Sequence, residues 1–342
     1  MSSFTFGLLV LGALVLAALV GWNAWTARRS VPRQAQAVAV PAVGGDLDPA
    51  ERNEPVLDDA PLAPLPLPEK KPGLDALIDV LAEIAVDAPV SGEAALAALP
   101  PTRRAGSKPF AIEGREAGYD WETPRPGQRY TAFQAGVQLA NRSGALNEIE
   151  YSEFVMKAQA FADAINGAPQ FPEMRDEVAR ARELDQFASS HDAQLSFTLR
   201  ARNAAWSPGY LQQNAGRVGF VPGSMPGRLV LPAGAPGSPA ILVLAFSTQA
   251  ALAEDPAQAA IREVTLTLDV PQVARTEQPF VRMRDAALAL AASMDGLITD
   301  ADGRVIPPEA LDAIGTDLEH LYDTLDARDL SAGSPQARRL FS

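Results

Sequence analysis

Apolar and polar positions along this chain fall into three regimes that change abruptly. Phe4 to Trp25, FTFGLLVLGALVLAALVGWNAW, contains no charged side chain. About 22 helical residues at 1.5 Å each span roughly 33 Å, close to the hydrocarbon thickness of a bilayer, so this run predicts one transmembrane helix. From about Ser30 to Pro72 the chain is rich in proline and acids and has no aromatic side chain. Such a stretch buries too little apolar area to offset its ordering entropy. It predicts an extended tether, polyproline-like over PLAPLPLPEKKP, with a reach of several nanometres. The Pro61/Pro64 spacing is read as spacer rather than as a ligand for a recognition module.

Beyond the tether the pattern alternates between periods of two and of three to four. Phe280, Met283, Ala287, Leu290 and Met294 recur at helical spacing, predicting a helix over Phe280–Asp295 closed by Gly296. LITDADGRVI then reads as a hairpin around Asp302-Gly303, and Pro307-Pro308-Glu309 opens a second helix. That helix presents Leu311, Ile314, Leu318, Leu321 and Leu325 on one face. Upstream, strands are predicted at Gln194–Arg200, Gly227–Leu231, Ala240–Ser247 and Glu263–Val270. The last alternates strictly, with Val264, Leu266, Leu268 and Val270 on one face and Thr265, Thr267 and Asp269 on the other. One face covers a core and the other meets solvent, as in an antiparallel sheet backed by helices.

A weaker echo precedes this block. YSEFVMKAQAFADAINGAPQFPEMRDEVARARELDQF repeats the order helix, break, Pro-Glu, helix, with Phe154 matched to Phe280 and Pro172 to Pro308. The first copy is ten residues shorter between these landmarks, as expected if it lacks the Gly296–Val305 hairpin. Strands at Leu77–Val86, Lys108–Gly114 and Tyr130–Leu139 would complete it. The fold expectation is therefore α+β: residues 1–29 an anchor, 30–73 a tether, 74–190 and 191–332 tandem units with antiparallel sheets backed by helices on one face, and 333–342 a tail.

Charge sets the orientation. Arg28, Arg29 and Arg33 follow the apolar run and nothing basic precedes it, so the bulk of the chain is expected in the cytoplasm with a short N-terminus outside. A cleaved signal peptide would carry its basic residues on the other side and a shorter apolar core. The formal charge of −13 and pI of about 4.7 disfavour nucleic-acid partners. The absence of cysteine excludes disulfides, thiolate catalysis and Cys-ligated zinc.

No catalytic constellation is visible, and an enzyme is not expected. His191 lies in a polar linker, and His320 stands off the apolar stripe of its helix. No nucleophile elbow occurs, and GRVGFVPGSMPG has glycines without the Lys-Ser/Thr of a phosphate loop. Glu153 with Lys157, and Asp317 with Glu319, suit a solvated helix face. Asp300–Asp302 lacks calcium-loop spacing. Met283 and Met294 are core positions. No cofactor and no metal is expected.

In layout and in the stretch Ala193–Leu330 the chain resembles the ZipA family of bacterial division proteins, which tether the tubulin-like FtsZ to the inner membrane. The residues that carry the resemblance are GF-(x)₂-G-x-M at Gly219–Met225, VTLTLDVP, and MDGLITDADGRVIPPEALDAIGTDLEHLYDTL, in this order behind the anchor. The resemblance implies a split β-α-β fold whose exposed sheet face takes the C-terminal tail peptide of FtsZ, with Phe4–Trp25 in the membrane. Family groove positions fall on Met225, Ser247 and Thr267, with Val243, Ala245 and Thr265 as same-face neighbours; only Met225 keeps a large apolar side chain. The first copy offers Tyr130, Phe133 and Val137 as alternative apolar material. Competing readings are an envelope-anchored interaction protein with a different peptide partner and an RNA-binding sheet module. Self-association is left open.

Overall fold

The computed structural model describes residues 32–35, 73–235, 237–256 and 258–342. The expected span Phe4–Trp25 and most of the tether lie outside the described residues. Among the described residues no helix is long and apolar enough to cross a membrane.

The fold is α+β, with two larger antiparallel sheets and helices. The chain runs β1 (Asp79–Ser91), α1 (Gly92–Ala98), β2 (Arg104–Ala105), β3 (Lys108–Arg115), β4 (Arg129–Gln138), β5 (Ala140–Asn141), β6 (Gly144–Ala145), α2 (Glu148–Ala164), β7 (Gly167–Gln170) and α3 (Met174–His191). It continues with β8 (Gln194–Ala201), α4 (Pro208–Arg217), β9 (Val221–Pro222), β10 (Arg228–Leu231), β11 (Leu242–Ala245), α5 (Thr248–Ala251) and β12 (Glu263–Asp269). It ends with α6 (Pro279–Met294), β13 (Gly296–Thr299), α7 (Pro308–Asp326) and α8 (Pro335–Leu340).

The first sheet has the order β2-β3-β4-β1-β7 and the second β13-β8-β12-β11-β10-β9. Read from the edge, each places its last strand beside its first, followed by strands in reverse chain order. Helices also match. A serine caps the helix after the first strand of each sheet, Ser91 for α1 and Ser207 for α4, its hydroxyl accepting from a backbone N–H in the first turn. A long helix precedes each late edge strand, ending on a left-handed residue, Asn166 (φ 56) or Asp295 (φ 55), followed by glycine.

These two residues correct the sequence reading. Asp295, rather than Gly296, is the left-handed stop of α6, and Gly296 opens β13. Aligned on the two stops, Tyr151 corresponds to Phe280, Phe154 to Met283, Ala158 to Ala287, Phe161 to Leu290 and Ile165 to Met294, all buried. Matching Phe154 to Phe280 is therefore one turn out of step. Nor does the first copy lack the counterpart of the hairpin: β7 pairs with β1 as β13 pairs with β8. Only the returning arm is missing. In the second copy that arm bridges Val305 to Thr299, with the Ile306 N–H donating to the Ile298 carbonyl at 3.1 Å.

The described residues form two compact units. One holds Leu195–Leu268 and Pro279–Asp312 together with the short segment at 32–35; the other holds Lys70–Gln194, Asp269–Gln278 and Ala313–Ser342. Most of α7 and residues 333–342 thus belong to the first-sheet unit. Leu330, Ala332, Ala337, Leu340 and Phe341 are buried there, which a loose tail could not satisfy.

In the first-sheet unit the core lies between α2 and one face of the sheet, where Val80, Ala82 and Ile84 stand beside Val137, Ala135 and Phe133. Phe154 and Phe161 of α2 meet this layer edge-on, at 6.1 Å from Phe110 and 5.3 Å from Phe133. The helix starts on a capping box: the Asn147 side chain accepts from the Glu150 N–H at 3.0 Å, and the Glu150 carboxylate accepts from the Asn147 N–H at 3.2 Å. In the second-sheet unit Phe197, Leu199, Leu244, Val264 and Leu266 are buried, with Phe280, Met283 and Leu290 of α6. Trp206, fully buried, donates from Nε1 to the Met294 carbonyl at 2.8 Å.

Candidate functional site

The strand register of the second sheet places the expected groove residues. Val230 pairs with Val221 on one side and Val243 on the other, and Val243 pairs with Thr267. Directly paired residues in a sheet point to the same face, so Val221, Val230, Val243 and Thr267 form one transverse row over four strands. Arg228, Ala245 and Thr265 form a second row on that face. The intervening residues Leu229, Leu244 and Leu266 are buried on the opposite face. Val221 is 45% exposed, and Val243, Ala245, Thr265 and Thr267 are half-buried, so this face is the open one.

Four of the six sequence-derived positions, Val243, Ala245, Thr265 and Thr267, therefore share one face. Met225 is 51% exposed in the turn between β9 and β10, its carbonyl accepting from the Arg228 N–H at 3.2 Å. Ser247 lies beyond the end of β11 and caps α5, its hydroxyl accepting from the Ala250 N–H. Sequence reasoning missed Val221 and Val230, which supply most of the apolar surface of the row. Alternation within RLVL marks Val230, but the two-residue strand β9 leaves no periodic signal for Val221.

The alternative apolar surface of the first copy is not exposed. Tyr130, Phe133 and Val137 are fully buried. Phe133 and Val137 pair with Ile84 and Val80 on the core side. Between Ala85 and Val90 the register of β1 slips against β4, and this bulge turns Tyr130 inward as well. Its hydroxyl donates to Glu122 Oε1 at 3.0 Å and accepts from the Arg125 N–H at 3.0 Å.

What the first-sheet unit does expose is an open apolar groove of about 750 Å³ lined by Leu99, Pro100, Pro101, Ile149, Met156 and Ala160. Ile149 and Met156 are 81% and 65% exposed, two turns apart on α2.

Ionisable groups are tied into the structure. Lys108 is buried, its Nζ donating to Asn141 Oδ1 at 2.7 Å and to the Gly144 carbonyl at 2.5 Å; burial holds its pKa below the usual lysine range. Arg142 bonds both Asp192 and Asp269 at 2.6 to 2.8 Å, which pushes its pKa up. His191 stacks on Phe187 at 4.3 Å with its Nδ1 2.7 Å from the Phe187 carbonyl, while His320 is exposed on α7. Among the described residues no three His, Cys, Asp or Glu side chains group to hold a metal ion.

No protein-family model and no curated protein matches this chain.

Proposed function

We propose that the chain is a single-pass tether of the bacterial inner membrane whose second copy binds the C-terminal tail of FtsZ, anchoring or stabilising the cytokinetic ring during septum assembly. In this reading the two sheets are tandem ZipA-like units, and their matching strand order supports a duplication. The single observation that carries the binding site is the open row Val221–Val230–Val243 on a sheet whose other face is buried.

An extended tail segment laid on this face would bury apolar side chains against the valines and Met225. Each anchor covered contributes about 1–2 kcal/mol. Thr265 and Thr267 offer less, so a single contact is weak, and concentration of partners along a filament raises the effective affinity.

The test uses the full chain in lipid nanodiscs and a fluorescent FtsZ tail peptide, read by anisotropy. Saturable binding, weakened about tenfold or more by Val243→Asp or Met225→Asp with unchanged circular dichroism, supports the proposal. Absence of binding at any accessible concentration refutes the FtsZ assignment.

The hydroxyl-bearing side chains of Thr265, Thr267 and Ser247 favour a second reading, an anchored interaction protein that takes a more polar peptide. A peptide-array screen in which polar sequences bind and the FtsZ tail does not would select it.

A further inference from the structure

Part of the matching face of the first sheet, around Asp79, Gly136 and Gln138, is covered by terminal segments of its own unit, while Glu83 and Ala111 on that face stay exposed. On the side away from α2 the register aligns Asp79 with Gln138, Leu81 with Gly136, and Glu83 with Gln134. Leu74 lies against Gly136 so closely that an added Cβ there would stand 2.5 Å from a Leu74 methyl. The Leu74 N–H donates to Glu113 Oε1 at 3.1 Å. At the corner formed by the start of β1 and the end of β4 stands α8. Its Arg339 donates to Asp79 Oδ2 at 2.8 Å and to the Gly73 carbonyl at 3.0 Å. Gln138 donates back to the Arg339 carbonyl at 2.8 Å, and Gln336 of α8 donates to Asp75 Oδ2 at 2.8 Å.

The closure is chemically specific. Asp79 and Gln138 are 0% and 1% exposed; the Asp79 carboxylate is met by α8 and by the Asp75 N–H, and the Gln138 amide by the Arg339 and Ala140 carbonyls. A buried carboxylate that meets a guanidinium through two oxygens is a geometry of recognition, since a lysine or a neutral side chain could not reproduce it. The second sheet places its carboxylate on the other strand of this corner and leaves it half-buried: Arg142, which is not part of α8, donates to both oxygens of Asp269 at the end of β12, at 2.8 Å each. Val86 pairs with Gly167 as Ala201 pairs with Gly296, so counting seven residues back puts Gln194 where the first sheet has Asp79. A neutral amide stands at the position of the carboxylate.

From this we infer that the Asp79–Gln138 corner of the first sheet's outer face is a recognition site for an arginine-bearing C-terminal helix, occupied in cis by residues 333–342. The inference stands apart from the FtsZ reading and survives its failure.

The experiment severs the helix after folding. A protease site is inserted after Ser331 in the full chain, the folded protein is cut in detergent, and a fluorescent peptide of residues 333–342, GSPQARRLFS, is added. The expected result is that the cut chain, with circular dichroism unchanged, takes up one peptide. The uncut chain should take up at least about tenfold less, and Asp79→Asn in the cut chain or an alanine at the Arg339 position of the peptide should weaken uptake about tenfold or more. Retention of the severed helix through gel filtration, lost in Asp79→Asn, supports the same conclusion. Unfolding on cutting, equal uptake by cut and uncut chains, or uptake indifferent to Asp79 would each overturn it.

Discussion

Arg339 and Asp79 form an ion pair in which the carboxylate is fully buried and the guanidinium largely so, with Nη1 2.8 Å from Oδ2. Removing the arginine strands a buried charge, which costs about 3–5 kcal/mol in comparable settings. Arg339→Ala is therefore expected to destabilise the first-sheet unit by about 3 kcal/mol at neutral pH, read by urea unfolding. Burial holds the Asp79 carboxyl above the usual range, opposed by Arg339 and by the Asp75 N–H. Without Arg339 the opposition to burial weakens, so the fold binds a proton still more tightly than the unfolded chain does. The loss should be greatest above the raised pKa and shrink as pH falls toward the ordinary carboxylate range. Equal losses at about pH 5 and about pH 7 would contradict this account.

Thr267 ends the open row at the side of Val243. Thr267→Leu extends the apolar surface without touching the core, and should strengthen tail-peptide binding by about tenfold, equivalent to one further apolar anchor. Anisotropy titration in nanodiscs measures it; weaker binding would mean that the row is not the contact surface.

Asn166 holds φ at 56, where a β-branched side chain costs about 1–2 kcal/mol and glycine nothing. Asn166→Val should lower the thermal midpoint of the first-sheet unit, and Asn166→Gly should leave it unchanged or raise it. A neutral valine would show that the α2–β7 junction adopts another conformation.

The Tyr151 hydroxyl donates to the Pro172 carbonyl, joining α2 to the start of α3. Its pKa is pushed up to about 12, first by burial and then by the negative charge of Glu177 and Glu173. The raised value means a contribution present below the ordinary tyrosine pKa and lost as pH rises through about 12. Ultraviolet titration should find late-ionising phenols, Tyr322 among them, whose amplitude falls by one tyrosine in Tyr151→Phe, with about 1 kcal/mol of stability lost at neutral pH.

Arg33 bridges in parallel to Trp206: its N–H donates to the Ala205 carbonyl at 2.7 Å, and the Ser207 N–H donates to the Arg33 carbonyl at 2.9 Å. Its guanidinium meets Asp295 at 2.9 Å and the Met294 carbonyl at 3.3 Å. Arg33→Ala should raise hydrogen exchange at the Arg33 and Ser207 amides while leaving β8 protected. Protection unchanged at both would show that the backbone pairing holds without the side chain.

Much of the fold was legible because half-buried strands and amphipathic helices leave periodic traces. EVTLTLDV showed its buried and open faces, and α6 showed its core positions. Strand order was not legible, because the pairing of β7 with β1 and of β13 with β8 is decided by tertiary contact. The bulge after Ala85 was invisible too, and with it the burial of Tyr130. Four groove positions could be placed by alternation once β11 and β12 were located. Val221 required the cross-strand register, and the covering role of residues 333–342 required knowing which carboxylate Arg339 meets.

The seat of Pro32–Ala35 beside Trp206 bears on how the protein would stand on a cell membrane. Pro32 follows Trp25 by seven residues, at most about 25 Å of extended chain. With Phe4–Trp25 in the bilayer as proposed, the second-sheet unit would be held close to the lipid headgroups instead of at the far end of a spacer. The acidic stretch 36–72 would then follow this seat rather than precede it, and a filament held by this protein would run close against the membrane.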